Sequence, residues 1–271
     1  ALRALKFMLR PSGKWSLFFD LDGTIMQSVD GVDPQILAAF HTLRRSGHRV
    51  ILATGRAPAS IPIEYIKNTD AAITLAGALI TAGSNTLFHA HLSDSYILSI
   101  TEFCEKWHIP IFLENARHFC TFGEKEYFVG MNAQFFDTAT MHLYSSLELT
   151  ECGESFIKAA ISTHSYNLMR EAGWQLPEGL QAYLSGDCID VVPAGVGKGS
   201  SALKVLEHFS LDSHRTICFG DSDNDVELFK VCAIRVSVSQ RSRALTECSN
   251  FITGSVEEGG VINALSTLGF I

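Results

Sequence analysis

Two short apolar segments joined by one helical segment restrict this chain to few topologies. Residues 15–19 and 48–53 are largely apolar runs of the length of a buried strand. Between them, Asp33 is suited to cap a helix, Pro34 to its first position and Gly47 to its end. A strand, a helix and a second strand in this order form a βαβ unit, which predicts a parallel sheet.

The same alternation returns near the end of the chain, whereas the middle follows a different pattern. Residues 198–209 predict a helix, and a strand follows at residues 215–219. We therefore predict a doubly wound, mostly parallel α/β core of residues 1–82 and 187–271, with an α+β domain inserted at residues 83–186. The strands predicted within the insertion are 87–91, 109–113, 156–162 and 180–184.

Charge and cysteine content exclude several classes of protein. The 271 residues include 21 Lys and Arg against 29 Asp and Glu, so the formal net charge of −8 argues against nucleic acid or an anionic membrane as the main partner. Seven cysteines without a CxxC pair are unlike a disulfide framework or a zinc site. No apolar run approaches the roughly 18 residues of a spanning helix. We expect a cytoplasmic protein, with the basic residues before Trp15 in a solvated arm.

Carboxylates follow two of the predicted strands directly. Asp20 and Asp22 come after residues 15–19, and Asp221 comes after residues 215–219. Ligands of open parallel sheets collect beyond the carboxyl ends of the strands, and residues two apart in an extended segment point to the same side. Converging carboxylates repel each other unless a hard cation with oxygen ligands joins them, so the pattern predicts Mg²⁺.

This arrangement suits phosphoryl transfer. A carboxylate can attack phosphorus and form an acyl phosphate, and a second carboxylate such as Asp22 can pass a proton to the leaving oxygen and take one from water. The hydroxyl of Thr54 and the backbone amide of Gly55 are suited to phosphate oxygens, and Lys198 supplies a positive charge.

Three other phosphate or cation motifs fail on the residues. The P-loop pattern requires Ser or Thr after its lysine, but Gly199 follows Lys198. An EF-hand loop from Asp221 would need Gly at the position that Val226 occupies. A dinucleotide-binding protein would need GxGxxG after the first strand, where this chain has DLDGT.

With these residues in order, the chain resembles the haloacid dehalogenase superfamily, and within it the Cof-type phosphatases that carry a large C2-type cap. The motifs that carry the resemblance are DLDGT at 20–24, TGR at 54–56, Lys198 within GVGKG, and GDSDND at 220–225. The resemblance covers nearly the whole chain beyond residue 14. It implies a Mg²⁺-dependent phosphatase that hydrolyses a small phosphorylated metabolite, a sugar phosphate or similar, through an aspartyl phosphate on Asp20.

The resemblance also implies a role for each site residue. Asp20 is the expected nucleophile and Asp22 the expected acid and base. The expected Mg²⁺ ligands are Asp20, the backbone carbonyl of Asp22, and Asp221. The expected phosphate contacts are Leu21, Thr54, Gly55, Lys198 and Asn224. Asp225 is expected to orient Lys198 or a metal-bound water, and Arg56 to contact phosphate or to form an ion pair on a helix face.

Two departures from the family pattern lie near the expected substrate. Relatives commonly have Asn-Gly-Ala where this chain has Ala76-Gly77-Ala78, which removes an amide side chain. Relatives also tend to have an Asn-Ala pair in the region of residues 236–240, which here read VSVSQ. The sequence therefore predicts the reaction better than it predicts the substrate.

Two other functions remain open on the sequence. A sugar phosphomutase would return the phosphoryl group to a sugar, and would yield isomerised sugar phosphate without free phosphate. A non-catalytic binding or regulatory protein on the same core would bind a phosphorylated metabolite without turnover. The presence of Asp20, Asp22, Lys198 and Asp221 together argues against the second of these.

Overall fold

A computed structural model describes residues 13–27, 31–117, 119–122, 141–143, 155–185 and 187–271. The basic N-terminal arm before Gly13 lies outside the described residues. The strands are β1 (Ser16–Phe19), β2 (Arg49–Ala53), β3 (Ala71–Thr74), β4 (Leu79–Ala82), β5 (Asn85–His89), β6 (Ile111–Glu114), β7 (Phe119–Phe122), β8 (Met141–Leu143), β9 (Lys158–Ser162), β10 (Leu180–Ser185), β11 (Cys188–Pro193), β12 (Thr216–Gly220), β13 (Ile234–Val238) and β14 (Phe251–Thr253).

The strands form two sheets. The large sheet has eight strands in the order β14-β13-β12-β1-β2-β3-β4-β5, parallel from β14 to β3 and antiparallel at β4 and β5. The small sheet has six strands in the order β10-β11-β9-β6-β7-β8, antiparallel except at β7 and β8. The predicted fold class, a mostly parallel α/β core with an α+β insertion, is confirmed.

Helices cover both faces of the large sheet. The helices in chain order are α1 (Pro34–Arg45), α2 (Ile63–Lys67), α3 (Asp94–Lys106), α4 (Thr163–Glu171), α5 (Lys198–His208), α6 (Val226–Val231), α7 (Arg243–Cys248) and α8 (Gly260–Leu268). Phe40 of α1 and Leu265 of α8 pack on one face, against alternate strand residues such as Phe19. Val205 of α5 and Phe229 of α6 pack on the other face. Among the described helices, none is long and apolar enough to cross a bilayer.

The first helix forms for the reasons that the sequence indicated. The Asp33 side chain accepts a hydrogen bond from the Gln35 backbone amide at 2.7 Å, and Pro34 occupies the first turn. Gly47 has a φ of 85°, a left-handed conformation that ends the helix. The predicted βαβ unit is therefore present as β1-α1-β2, with Phe19 opposite Leu52 in parallel register.

One predicted strand belongs to a different sheet from the one expected. The segment at residues 87–91 was expected within the insertion, but β5 pairs with β4 in the large sheet. The reason is the tight turn at Gly83, whose φ of 57° closes a hairpin between the two strands. The chain changes sheet between β5 and β6 and returns after β11. The predicted domain boundaries at 82/83 and 186/187 lie a few residues before these points and stay a prediction.

A turn after β3 fits closely against the start of α5. Residues Leu75–Gly77 form a single 3-10 turn in which Leu75 and Ala76 both have left-handed backbones, with φ of 52° and 54°. Gly77 has a φ of 100°, and a Cβ there would overlap the backbone of Gly197. The Ser201 hydroxyl of α5 donates to the Gly77 carbonyl at 2.6 Å. This turn therefore sets the position at which α5 begins.

Substitution of Ala76 tests the strain in this turn. Ala76→Gly and Ala78→Gly each remove a buried methyl group, but only Ala76 is left-handed, since Ala78 has a φ of −79°. A left-handed backbone costs a residue with a side chain roughly 1–2 kcal/mol. We expect the free energy of unfolding of Ala76→Gly to exceed that of Ala78→Gly by about that amount in urea denaturation. Equal losses in the two variants would contradict the assignment of strain.

Candidate active site

The carboxyl ends of two neighbouring strands bring the predicted carboxylates together. Asp20 directly follows β1, and its backbone amide donates to the carbonyl of Phe219 in β12 at 3.0 Å. Asp221 directly follows β12. Carboxylate oxygens of Asp20, Asp221 and Asp225 lie within 4.8 Å of one another, and all three residues are buried.

Lys198 is the cation at the centre of this group. It is the first residue of α5 and is 2% exposed. Its Nζ donates to Oδ1 of Asp20 at 2.6 Å and to Oδ1 of Asp225 at 2.6 Å, and to Oδ1 of Asn224 at 3.0 Å. A cation in the first turn of a helix is disfavoured by the helix dipole, so these acceptors offset an unfavourable location.

The local charges shift the ionisation of the site. Burial, followed by the charge of Asp225, raises the pKa of Asp20 well above its usual range. The same two causes raise the pKa of Asp221 to about 6. Burial disfavours the Lys198 ammonium, but the charges of Asp20 and Asp225 outweigh it and raise the pKa of Lys198. Three carboxylates around one ammonium leave an excess of negative charge.

The donor set fits a hard divalent cation. Oδ1 of Asp225 accepts from Lys198, and its Oδ2 accepts from the backbone amides of Asp221 and Ser222 at 3.2 and 3.3 Å. Asp225 is therefore used within the protein, where it orients Lys198. Asp20 and Asp221 have fewer or longer contacts, since Asp20 accepts from Lys198 and, at 3.3 Å, from the Thr24 hydroxyl, and Asp221 lies 3.5 Å from Arg241. Their carboxylate oxygens are the ligands that Mg²⁺ and similar cations take.

The predicted acid and base, Asp22, is bound to Arg56. Nε of Arg56 donates to one oxygen of Asp22 at 2.8 Å and Nη2 donates to the other at 2.6 Å, which makes a two-point ion pair. Nη1 of Arg56 donates to the Ser60 carbonyl at 2.8 Å. Of the two expectations for Arg56, the structure shows the ion pair, although it forms from a loop and not from a helix face. The Asp22 side chain is 46% exposed.

The other predicted phosphate contacts lie around the loop that follows β2 and carries Arg56. Thr54 follows β2, is buried, and accepts the Arg56 backbone amide on its hydroxyl at 3.1 Å. The carbonyl of Leu21 accepts the amide of Met26 at 2.9 Å, which turns the chain back after β1. Oδ1 of Asn224 accepts a hydrogen bond from Lys198, and its Nδ2 donates to the Ser185 hydroxyl of β10 at 2.9 Å. All of the predicted site residues therefore lie at this edge of the large sheet.

A buried charge cluster in the small sheet also contacts this loop, and sequence reasoning did not single it out. Nζ of Lys158 in β9 donates to the Gly55 carbonyl at 3.0 Å, and pairs with Glu114 at 3.1 Å and Asp190 at 2.8 Å. All three charged residues are 4% exposed or less. The signal in the sequence is that Lys158 and Asp190 each interrupt an apolar strand, where a charge needs a partner.

A second polar contact joins the small sheet to helix α6. The Tyr183 hydroxyl of β10 donates to Oε2 of Glu227 at 2.8 Å, and it lies 3.1 Å from the Val196 carbonyl. Burial, followed by the hydrogen bond to Glu227, raises the pKa of Tyr183, so the phenol stays protonated and keeps donating. The largely exposed Arg241 lies 3.5 Å from Asp221.

Glu114→Gln tests the charge of the cluster in the small sheet. Burial raises the pKa of Glu114 from 4.5 to about 7, so the unfolded chain loses this proton at lower pH than the folded protein. The contribution of Glu114 to the free energy of unfolding should therefore fall as pH rises from about 4.5 to 7, by on the order of 3 kcal/mol. Glutamine does not titrate, so the variant lacks this loss. The unfolding free energy of Glu114→Gln minus that of the wild type should therefore increase as pH rises over that range. Urea denaturation at about pH 5 and pH 8 measures it.

The control for this experiment is Glu247→Gln. Glu247 is exposed and forms an i,i+4 pair with Arg243 on the surface. Its replacement should leave the pH dependence of unfolding unchanged. Parallel pH profiles for Glu114→Gln and the wild type would show that the Glu114 carboxyl titrates normally.

Comparison with known proteins identifies the family. The model of the haloacid dehalogenase-like hydrolases matches residues 17–265. A Streptococcus pyogenes protein named as a candidate bifunctional phosphatase and peptidyl-prolyl cis-trans isomerase is 28% identical over 268 residues, which are 94% of this chain. The chain spans about half of that protein, 54%. The Bacillus subtilis 5-amino-6-(5-phospho-D-ribitylamino)uracil phosphatase YitU is 20% identical over 270 residues, with 91% of this chain and 94% of YitU covered.

Solved structures agree on the fold. A sugar phosphatase of haloacid dehalogenase subclass IIB matches with a TM-score of 0.80 at 20% identity, over 95% of this chain and 100% of its own. A phosphatase of the superfamily from Bacteroides thetaiotaomicron matches with a TM-score of 0.81 at 19% identity, and the match covers 97% of this chain and 98% of that one. The chain therefore belongs to the haloacid dehalogenase-like hydrolase family, which confirms the family and the enzyme class that its four motifs predicted.

Proposed function

We propose that this chain is a Mg²⁺-dependent phosphatase that hydrolyses a small phosphorylated metabolite through an aspartyl phosphate on Asp20. The observation that carries the proposal is the buried Lys198 ammonium, bonded to Asp20 and Asp225 at 2.6 Å each, beside the carboxylate of Asp221. A nucleophile, a cation and two further acids are therefore held at one strand edge. This is the arrangement that phosphoryl transfer requires, because its catalysis depends on positioning and on charge neutralisation.

In the first step, a carboxylate oxygen of Asp20 attacks phosphorus while the bond from phosphorus to the leaving oxygen breaks. Asp22 gives a proton to that leaving oxygen, so an alcohol departs and the phosphoryl group stays on Asp20. Lys198 neutralises the charge of the non-bridging oxygens, and it donates to one of them once it releases one of its three acceptors, such as Asn224. The Thr54 hydroxyl donates a hydrogen bond to another of these oxygens. The hydroxyl of Thr24 lies 3.3 Å from Oδ2 of Asp20 and fixes the plane of the nucleophile.

In the second step, water attacks the phosphorus of the aspartyl phosphate. Asp22 takes the proton from this water, the bond from phosphorus to Asp20 breaks, and inorganic phosphate leaves. Asp20 and Asp221 would hold Mg²⁺, which would supply positive charge to offset the repulsion between the Asp20 carboxylate and the phosphate dianion.

Arg56 controls the position of Asp22 in this scheme. Both oxygens of Asp22 pair with the Arg56 guanidinium, whose own side chain is only 8% exposed and is held by Ser60. Asp22 must therefore release at least one oxygen from Arg56 before it can transfer a proton. Its half-exposed side chain leaves room for that rotation.

The substrate class rests on the relatives. YitU acts, by its name, on a phosphorylated ribitylaminouracil, and the subclass IIB relative of known structure is named as a sugar phosphatase. Both substrates are small phosphate esters with hydroxyl groups. We extend that class to this chain, with no nucleic acid as partner. The predicted cytoplasmic location stays a prediction.

Asp20→Asn tests the nucleophile. The variant should lose at least about 1,000-fold in kcat towards 4-nitrophenyl phosphate with Mg²⁺, because an amide oxygen is a poor nucleophile for phosphorus. Asp212→Asn is the matched control, since Asp212 is exposed and pairs only with the surface Arg215 among the ion pairs of the described residues. A folded Asp20→Asn protein with wild-type turnover would exclude the aspartyl phosphate.

Asp22→Asn tests the two-step scheme. Nitrophenolate leaves without much help from an acid, but attack by water depends on Asp22 as a base. We therefore expect rapid release of about one nitrophenolate per enzyme, followed by slow turnover, in stopped-flow absorbance. A uniformly slow reaction without this burst would contradict the assigned roles of Asp22.

A further inference from the structure

Two different cations lie beside the three buried carboxylates of the site. Nζ of Lys198 donates to Asp20 and to Asp225, but within the described residues it makes no hydrogen bond to Asp221. In the same part of the chain, the one group that donates to the Asp221 carboxylate is Arg241, whose Nη1 lies 3.5 Å from Oδ2. Asp221 therefore has a different counterion from its two neighbours.

The two cations differ in how firmly they are held. Lys198 is buried and bonded to three acceptors. The Arg241 side chain is 74% exposed, although the side chain of Asp221 is only 5% exposed. An exposed arginine keeps most of its hydration and of its rotamer freedom, so its ion pair is weak. Lys198 is therefore a fixed counterion, and Arg241 is one that can leave.

The loop after β13 brings Arg241 to this position. β13 is parallel to β12, so the loops after both strands emerge at the same edge of the large sheet. The next residue, Ser242, caps α7, and its hydroxyl donates to Oδ1 of Asp223 in the loop after β12. Arg241 therefore borders Asp221, because its neighbour in the sequence is bonded to the loop that carries Asp221.

A further carboxylate lies near the Arg241 guanidinium. Glu257 is exposed, and its pKa is lowered by a hydrogen bond with Ser255 and, among the smaller causes, by the charge of Arg241. A guanidinium that leaves Asp221 would therefore keep a negative charge nearby.

A divalent cation and the Arg241 guanidinium would compete for Asp221. Asp20 and Asp221 are the carboxylates of the site that fit such a cation, because Asp225 is used by Lys198 and by backbone amides. A metal on Asp221 and a guanidinium on the same carboxylate are like charges, which repel each other. Binding of the metal is therefore favoured when the guanidinium moves away.

We propose that Arg241 is an exchangeable counterion of Asp221, which offsets this carboxylate in the metal-free protein and competes with Mg²⁺ for it. The site then binds Mg²⁺ more weakly than its carboxylates alone would, and Arg241 leaves Asp221 when the metal binds. This inference rests on the metal site of the phosphatase proposed above.

Titration of Mg²⁺ alone into the folded protein tests this competition without a substrate. Isothermal titration calorimetry gives the Kd for the wild type, Arg241→Gln and Arg243→Gln. Arg243 is the matched control, because it is largely exposed, pairs with Glu247 and loses the same charge in its variant. We expect Arg241→Gln to lower the Kd about 3- to 10-fold, and Arg243→Gln to leave it within about twofold of the wild type.

Thermal unfolding with EDTA and with saturating Mg²⁺ gives a second measurement. With EDTA, Arg241→Gln should melt about 1–3 °C below the wild type, because Asp221 loses its donor. Saturating Mg²⁺ should close this gap, since Arg241 of the wild type no longer pairs with Asp221. Any gap between Arg243→Gln and the wild type should be the same under both conditions.

Several outcomes overturn the inference. An unchanged Kd in Arg241→Gln shows that Arg241 does not compete with the metal. An equal fall of the Kd in both variants shows an effect of net charge and not of a contact with Asp221. A melting gap of Arg241→Gln that persists in Mg²⁺ shows that Arg241 stays on Asp221 when the metal is bound.

Failure of the proposed function gives a different result. Absence of Mg²⁺ binding in all three proteins removes the metal site, and the role of Arg241 with it. Turnover of 4-nitrophenyl phosphate by the wild type, measured with Mg²⁺ and with EDTA, then decides whether a phosphatase reaction remains. Normal Mg²⁺ binding with an unchanged Kd in Arg241→Gln removes only the role of Arg241.

Discussion

The buried ammonium of Lys198 is the interaction on which the site depends. Its Nζ joins Asp20 after β1 and Asp225 in the loop after β12, while its backbone begins α5. Three separate segments of the chain are thus fixed to one point. Loss of one partner from a buried charge group costs about 3–5 kcal/mol, because the remaining charges have no counterion and no water. The same interaction therefore stabilises the fold and fixes the position of the Asp20 carboxylate.

The parallel sheet brings these segments to one edge, and a close backbone contact fixes the position of α5 there. β1 lies between β2 and β12, so Asp20, Thr54 and Asp221 all emerge at one edge. Contact between the turn at Gly77 and the backbone of Gly197 sets the start of α5. A sheet alone would place Asp20 one strand spacing, roughly 5 Å, from each of Thr54 and Asp221, which are themselves about 10 Å apart. The contact between Gly77 and Gly197 fixes the start of α5, and so places the Lys198 ammonium within hydrogen-bond distance of Asp20.

The sequence was sufficient for the features that depend on neighbouring residues. The strand ends at Asp20 and Asp221, and the cap of α1 at Asp33, follow local rules and are found where they were predicted. Features that depend on tertiary pairing were missed. The partner sheet of β5 depended on a hairpin turn. An ion pair was one of the two expectations for Arg56, but its partner, Asp22, was not predicted, because the two residues lie in loops that are 34 residues apart. No periodicity in the sequence encodes such a pairing.

Lys158 connects the small sheet to the loop at Gly55 that follows β2. A lysine within an apolar strand is stable only if its ammonium finds acceptors, and here one acceptor is the Gly55 carbonyl of the large-sheet loop. Movement of the small sheet away from this loop would remove one of three partners from a buried charge. The loop at Gly55 therefore contacts the buried charge cluster of Lys158, Glu114 and Asp190 in the small sheet.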